Sequence, residues 1–134
     1  DQDTDTAANC KNALCASSEI AESLAFLNSE LSDDDIDTLR IGIGIHTGTA
    51  ILGKMGYGQA SSETAVGDTV NVASRLEQLT KNYSCQLMFS KAVAEKASLN
   101  KSVLKSVETE IRGRKDLLEA FYCKNAKEAM DAFQ

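Results

Sequence analysis

Asn71, Arg75 and Gln78 fall at i, i+4 and i+7 in the stretch AVGDTVNVASRLEQL, residues 65–79. On an α-helix all three share one stripe, while Val72, Leu76 and Leu79 take another side, flanked by Val70 and Ala73. A neutral hydrogen bonder beside a permanent forked cation suits an anionic ligand, because a guanidinium offers phosphate several N–H groups at once. The same stripe would equally serve as a solvated helix face with Arg75 paired to Glu77 or Asp68, and spacing alone leaves both readings open. A second group of cations lies in RGRKD, residues 112–116, where Arg114 and Lys115 follow Gly113 in a tight turn between strands. That turn reads either as a solvated hairpin tip or as a phosphate contact. The single histidine, His46, follows an Ile/Gly run in HTG and reads as a satisfied strand-end residue rather than a base. Gly48, Gly53, Gly56 and Gly58 do not spell GxxxxGK[ST], so no phosphate-cradling P-loop is expected.

These residues need elements to hold them. Cys10, Leu14, Ala21, Leu24, Leu27 and Leu31 recur at helical spacing and predict a long amphipathic helix from about Thr6, capped by Asp5 or Thr6. Residues 1–5 are expected to fray, and SDDDID (32–37) to end the helix in an acidic loop. Ile41, Ile43 and Ile45 alternate with Gly42, Gly44 and His46, a strand pattern over 39–52. Two glycines on one face mean that something packs tightly against it. Residues 53–63 read as a Gly-rich loop, 64–66 as a short extended stretch, and 69–81 as a helix capped by Asp68. Then come a strand at 85–90, a short helix at 91–97, an edge strand at 101–111, a strand at 117–124 and a terminal helix at 126–133. Strands interleaved with helices and ending in a hairpin predict an α+β layered sheet with helices mainly on one face.

The chain has 134 residues, 43% hydrophobic and 25% charged, values of one globular domain rather than a disordered segment. Its 14 basic and 20 acidic residues give a net charge of −6, which argues against a nonspecific nucleic-acid binder. A small nucleotide site needs only a few local cations. The four cysteines form no CxxC pair and only one histidine is present, which disfavours a zinc site. Cys10, Cys15 and Cys85 lie among apolar positions, as buried free thiols do, and a reducing, cytoplasmic compartment is expected. No apolar run approaches the ~18 residues of a membrane span.

Three segments in order, IGIGIHTGTAILGKMG (41–56), TAVGDTVNVASRLE (64–77) and RGRKDLLEAFY (112–122), resemble the class III adenylate/guanylate cyclase catalytic domain. The second is close to a signature of that family, and the likeness runs from the first helix to about Cys123. The resemblance implies a ferredoxin-like α+β domain acting as a head-to-tail dimer, with sites at the dimer interface. It implies cyclisation of a nucleoside triphosphate: the ribose 3′-oxygen attacks the α-phosphorus and pyrophosphate leaves. Carried onto this chain, Asn71 orients the ribose and Arg75 stabilises charge on the reacting phosphoryl group. Arg114, with Lys115 as a nearby substitute, holds the terminal phosphates.

Two departures from the family pattern shape the expectations. Many adenylate cyclases carry an Asp three residues before the motif glycine, where it reads the adenine amino group; here that position is Thr64. A threonine hydroxyl can still accept a hydrogen bond from that group. Guanylate cyclases tend to have Cys there, so Thr64 favours ATP over GTP. The family also binds two divalent metal ions, Mg²⁺ or Mn²⁺, through two Asp residues, the first in a motif reading roughly FxDIxGFT. Nothing like it is present, and Asp1, Asp3 and Asp5 lie outside the expected hairpin context, so no metal ligand is assigned. The chain is therefore expected to be the C-terminal two-thirds of a cyclase domain, lacking the first strands and inactive alone. In the full-length dimer it would make cyclic AMP from ATP. A non-catalytic partner or regulatory domain, and a guanylate cyclase, are the alternatives.

Overall fold

The computed structural model describes the backbone of residues 2–49, 51–55 and 62–134, and the side chains of residues 4–49 and 66–134. Gly56, Gly58 and Asp1 lie outside the described residues. Four strands form a mixed sheet in the order β1-β4-β6-β5: β1 (Ile43–Ile45), β4 (Leu87–Ser90), β6 (Leu118–Cys123) and β5 (Lys105–Thr109). β1 runs parallel to β4, and the other two pairings are antiparallel. A separate antiparallel pair joins β2 (Ile51–Met55) to β3 (Ser62–Val66). This pair corrects the expectation that 53–63 is loop throughout: ladder pairing carries β2 three residues and β3 two residues into that stretch.

Side-chain alternation along β4 and β6 sorts the core into two halves. Leu87, Phe89, Phe121 and Cys123 point to the face covered by α1 (Gln2–Asp33), α3 (Lys91–Lys96) and a C-terminal 3-10 segment (Ala126–Ala132). Met88 and Ala120 point to the other face, where α2 (Asp68–Asn82) contributes Val72, Leu76 and Leu79. Most helical residues thus share one face, as the α+β reading predicts, and α2 covers the other. Phe89 pairs with Phe121 across β4 and β6, ring centroids 6.0 Å apart, a contact worth about 1 kcal/mol beyond its area.

Gly44 of β1 and Gly42 just before it explain how α2 lies so close. A β-carbon on Gly44 would overlap the Ala73 carbonyl oxygen and approach Glu77 N to 2.5 Å; one on Gly42 would overlap the Thr80 hydroxyl. The tight packing expected from two glycines on one strand face is therefore the seating of α2.

α1 departs from expectation along its C-terminal half. It begins at Gln2, with Asp5 in a first turn where the helix dipole favours anions. Cys10, Leu14 and Ala21 are buried, but Leu27 is 40% and Phe26 69% exposed, so the C-terminal half extends past the body it packs against. The helix ends in a Schellman motif: Ile36 N donates to Leu31 O and Asp35 N to Ser32 O, with Asp35 in the left-handed region at φ 58°. The acidic loop is thus a helix stop, using the tolerance of Asp for that conformation. The Asn28 side-chain amide then donates to Leu39 O and accepts from Leu39 N, leading the chain back toward β1.

The terminal segment is 3-10 rather than α-helical, opened by a capping box between Asn125 and Glu128. Cys15 is exposed while Cys10, Cys85 and Cys123 are buried. The apolar neighbours of Cys15 in sequence lie on other sides of α1, which corrects the expectation of a buried thiol there.

Candidate active site

α2 is positioned at its start rather than capped by Asp68. Gly67 holds the N-cap position at φ 128°, a conformation that strains any residue with a β-carbon, and Asp68 is the first helical residue. The Thr69 hydroxyl donates to Thr49 O at 2.6 Å and pins the helix to the segment after β1. From there the predicted stripe projects from the helix: Asn71, Arg75 and Gln78 are all exposed, while Val72, Leu76 and Leu79 are buried.

Facing the stripe is the turn between β5 and β6, residues 110–117. Together they enclose an open cleft of about 1030 Å³, lined by Asn71, Ser74, Arg75 and Gln78 from α2 and by Glu110 through Leu117 from the turn. Asn71 and Arg75 therefore share one cavity with Arg114 and Lys115, residues about forty positions away. Ile111, 4% exposed within the smaller core half, anchors the root of the turn, and Gly113 turns the chain at φ 87°.

The cleft is cationic in an acidic protein. Arg75, Arg112, Arg114 and Lys115 stand against Glu110 and Asp116, four positive charges against two negative, a local balance of +2. Arg75 forms no ion pair with a described residue, so the solvated pairing with Glu77 or Asp68 is not what the structure shows. Asp68 instead binds Arg114, Oδ2 to Nη2 at 2.5 Å. That hydrogen bond holds the Asp68 carboxyl below its ordinary pKa. Arg112 and Ser74 were not singled out from sequence. Ser74 was legible as the i+3 neighbour of Asn71; Arg112 precedes the glycine of the turn, and only the fold shows that it borders the same cavity.

Thr64 sits in β3, paired with Gly53; its side chain lies outside the described residues. His46 does not line the cleft. Its Nδ1 lies 2.7 Å from the Ser90 hydroxyl, and burial, then the Arg114 charge, push its pKa down against the opposing pull of Asp68. It is the satisfied strand-end residue its position predicted. Among the described residues no three His, Cys, Asp or Glu side chains gather in a way that could hold a metal ion, and Asp68, beside the cleft, is taken by Arg114. Among the described residues no helix is long and apolar enough to cross a membrane.

The fold is a mixed α+β sheet carrying a Gly-Asp-led helix whose Asn/Arg stripe faces a basic hairpin turn. The family model described as "Adenylate and Guanylate cyclase catalytic domain" matches residues 4–125, and the chain belongs to that family. It is 42% identical over 84 residues, 63% of its length, to adenylate cyclase 1 of Rhizobium meliloti (strain 1021), of which the match covers 12%. It is 42% identical over 64 residues, 48% of its length, to an adenylate cyclase of Anabaena cylindrica, of which the match covers 13%. In fold it resembles the crystal structure of the guanylyl cyclase Cya2, with a TM-score of 0.67 and 23% identity, covering 84% of this chain and 56% of that one. The matches thus span about an eighth of the length of these two relatives.

Proposed function

We propose that this chain supplies the ribose- and phosphate-binding half of an adenylate cyclase site that converts ATP to 3′,5′-cyclic AMP and pyrophosphate. The observation that carries this reading is the convergence of Asn71, Arg75, Arg114 and Lys115 on one cleft. In the reaction the ribose 3′-hydroxyl gives up its proton to solvent, its oxygen bonds to the α-phosphorus, and the bond from that phosphorus to the pyrophosphate oxygen breaks. Asn71, one turn before Arg75, holds the sugar by neutral hydrogen bonds. Arg75 stabilises charge on the α-phosphoryl group as the bonds exchange. Arg114 and Lys115, on the opposite wall, hold the β- and γ-phosphates and then the departing pyrophosphate. The two divalent ions that the resemblance implies find no ligand set among the described residues.

A second cyclase domain, head to tail with this one, would complete the site, in a reducing cytoplasmic compartment that suits the four free thiols. Relatives bearing the name adenylate cyclase, together with Thr64 at the base-reading position, favour ATP. The test is an assay of the full-length protein for cyclic AMP and cyclic GMP, with Arg75→Ala alongside. Arg75→Ala is expected to cut turnover by about a hundredfold or more, and a loss of only a few-fold removes Arg75 from its role. A strong preference for GTP overturns the choice of ATP, and Thr64→Asp is expected to preserve ATP use.

A further inference from the structure

We propose that Asp68 is a positioning residue that holds Arg114 at the polyphosphate end of the cleft. This rests on the cyclase reading only for the name of the phosphate ligand.

Asp68, Asn71, Arg75 and Gln78 follow one another at intervals of three, four and three, so Asp68 heads the same stripe that carries the site. Unlike the other three it does not line the cleft; Arg114 does. The carboxylate therefore grips the guanidinium from outside the cavity, as a tether rather than a plug. The bond uses one terminal nitrogen, Nη2. A guanidinium has five N–H donors in a fixed plane, so the remaining donors stay available to an anion inside.

The two partners differ in how firmly they are held. Asp68 stands on the first turn of a helix fixed by the Thr69–Thr49 hydrogen bond and by the backbone contact at Gly44. Arg114 stands on an exposed turn, residues 112–117, whose internal bond is Arg114 N to Ile111 O at 3.0 Å. An ion pair this exposed adds little to stability. What it does is fix the direction of a long side chain that would otherwise sample many rotamers. Lys115, in the same turn, forms no ion pair with a described residue, so the structure distinguishes a tethered cation from an untethered one. Phosphate affinity gains when a donor is already in place.

The experiment is a double-mutant cycle on the full-length protein. Asp68→Asn, Arg114→Gln, the double variant and Asp68→Glu are compared for inorganic pyrophosphate binding by calorimetry, and for kcat and KM with ATP. Asp68→Asn is expected to weaken pyrophosphate binding and raise KM by about tenfold, with a smaller change in kcat. In the Arg114→Gln background it is expected to change nothing further, and Asp68→Glu is expected to recover most of the loss. Equal losses from Asp68→Asn with and without Arg114, or no loss at all, overturn the proposal. Tighter pyrophosphate binding in Asp68→Asn overturns it too, because the carboxylate would then be masking Arg114. The cyclase reading fails separately: an inactive wild type that still binds pyrophosphate through this coupled pair removes the activity and keeps the tether.

Discussion

Gly44 of β1 and Ala73 of α2 meet backbone to backbone, with no room for a β-carbon between them. Asn71 and Arg75 flank Ala73 on the helix, so this contact, with that of Gly42 against Thr80, sets the height of the site above the sheet. Gly44→Ala would have to lift α2 or bend β1. It is expected to destabilise the protein by about 2–3 kcal/mol in denaturant unfolding, and to impair nucleotide binding even where the chain remains folded. Unchanged stability and binding would show that the helix can shift without consequence.

Arg112 lines the cleft and forms no ion pair with a described residue, so its charge acts as part of the local field. Arg112→Gln is expected to weaken nucleotide binding about two- to fivefold at low salt, and to flatten the salt dependence of KM, because screening acts on such charges over about 10 Å at 0.1 M. Arg75→Ala should instead lower kcat at every salt concentration. Identical salt profiles for wild type and Arg112→Gln would exclude the steering role.

His46 gives the protein a stability term near neutral pH. Burial, followed by the Arg114 charge, holds its folded pKa below the ordinary 6.5, so the unfolded chain binds more protons in the interval between the two values. Stability from this group is complete above about pH 6.5 and declines as pH falls from there toward the lower folded pKa. Asp68 is likewise depressed, but from 3.8, so its contribution is lost only at more acid pH. Thermal melts between pH 8 and 5 are expected to show Tm falling below about 6.5, and His46→Asn to remove that step. An unaltered step in the variant would assign it to another group.

The cysteines divide by exposure. Cys15 is exposed; Cys10, Cys85 and Cys123 are buried with raised thiol pKa values, that of Cys123 pushed up to about 12 chiefly by burial. Alkylation of the native chain at pH 8, followed by peptide mass spectrometry, is expected to label Cys15 rapidly. The other three should react only with the rate of unfolding. Rapid native labelling of Cys123 would place that face of the sheet in solvent.

What could be read in the sequence was whatever depends on local period. The Asn71/Arg75 stripe, the Ile/Gly alternation of β1 and the hairpin around Gly113 each announce themselves within a dozen residues, and the structure has all three. Relations between distant segments were not legible. Asp68 looks like a helix cap in its own neighbourhood, and only the fold brings Arg114, forty-six positions later, within bonding distance. The sequence stripe of α1 runs on to Leu31 because periodicity continues past the point where the supporting layer stops, leaving Leu27 exposed. Glycine content hid the β2–β3 pairing, since backbone ladders place few demands on side chains.

The four-stranded sheet separates two kinds of burden. Beneath it, the larger core of Leu14, Leu87, Phe89, Val93 and Phe121 keeps the chain folded; above it, α2 and the β5–β6 turn carry the cleft. A saturation mutagenesis screen that scores cellular abundance and cyclic nucleotide output independently should therefore draw the sheet as a boundary. Substitutions under it would lower both scores together, whereas those at Asn71, Arg75, Arg114 and Lys115 would erase output at full abundance. Such a partition leaves the face that bears the cleft free to diversify while the opposite face is held constant.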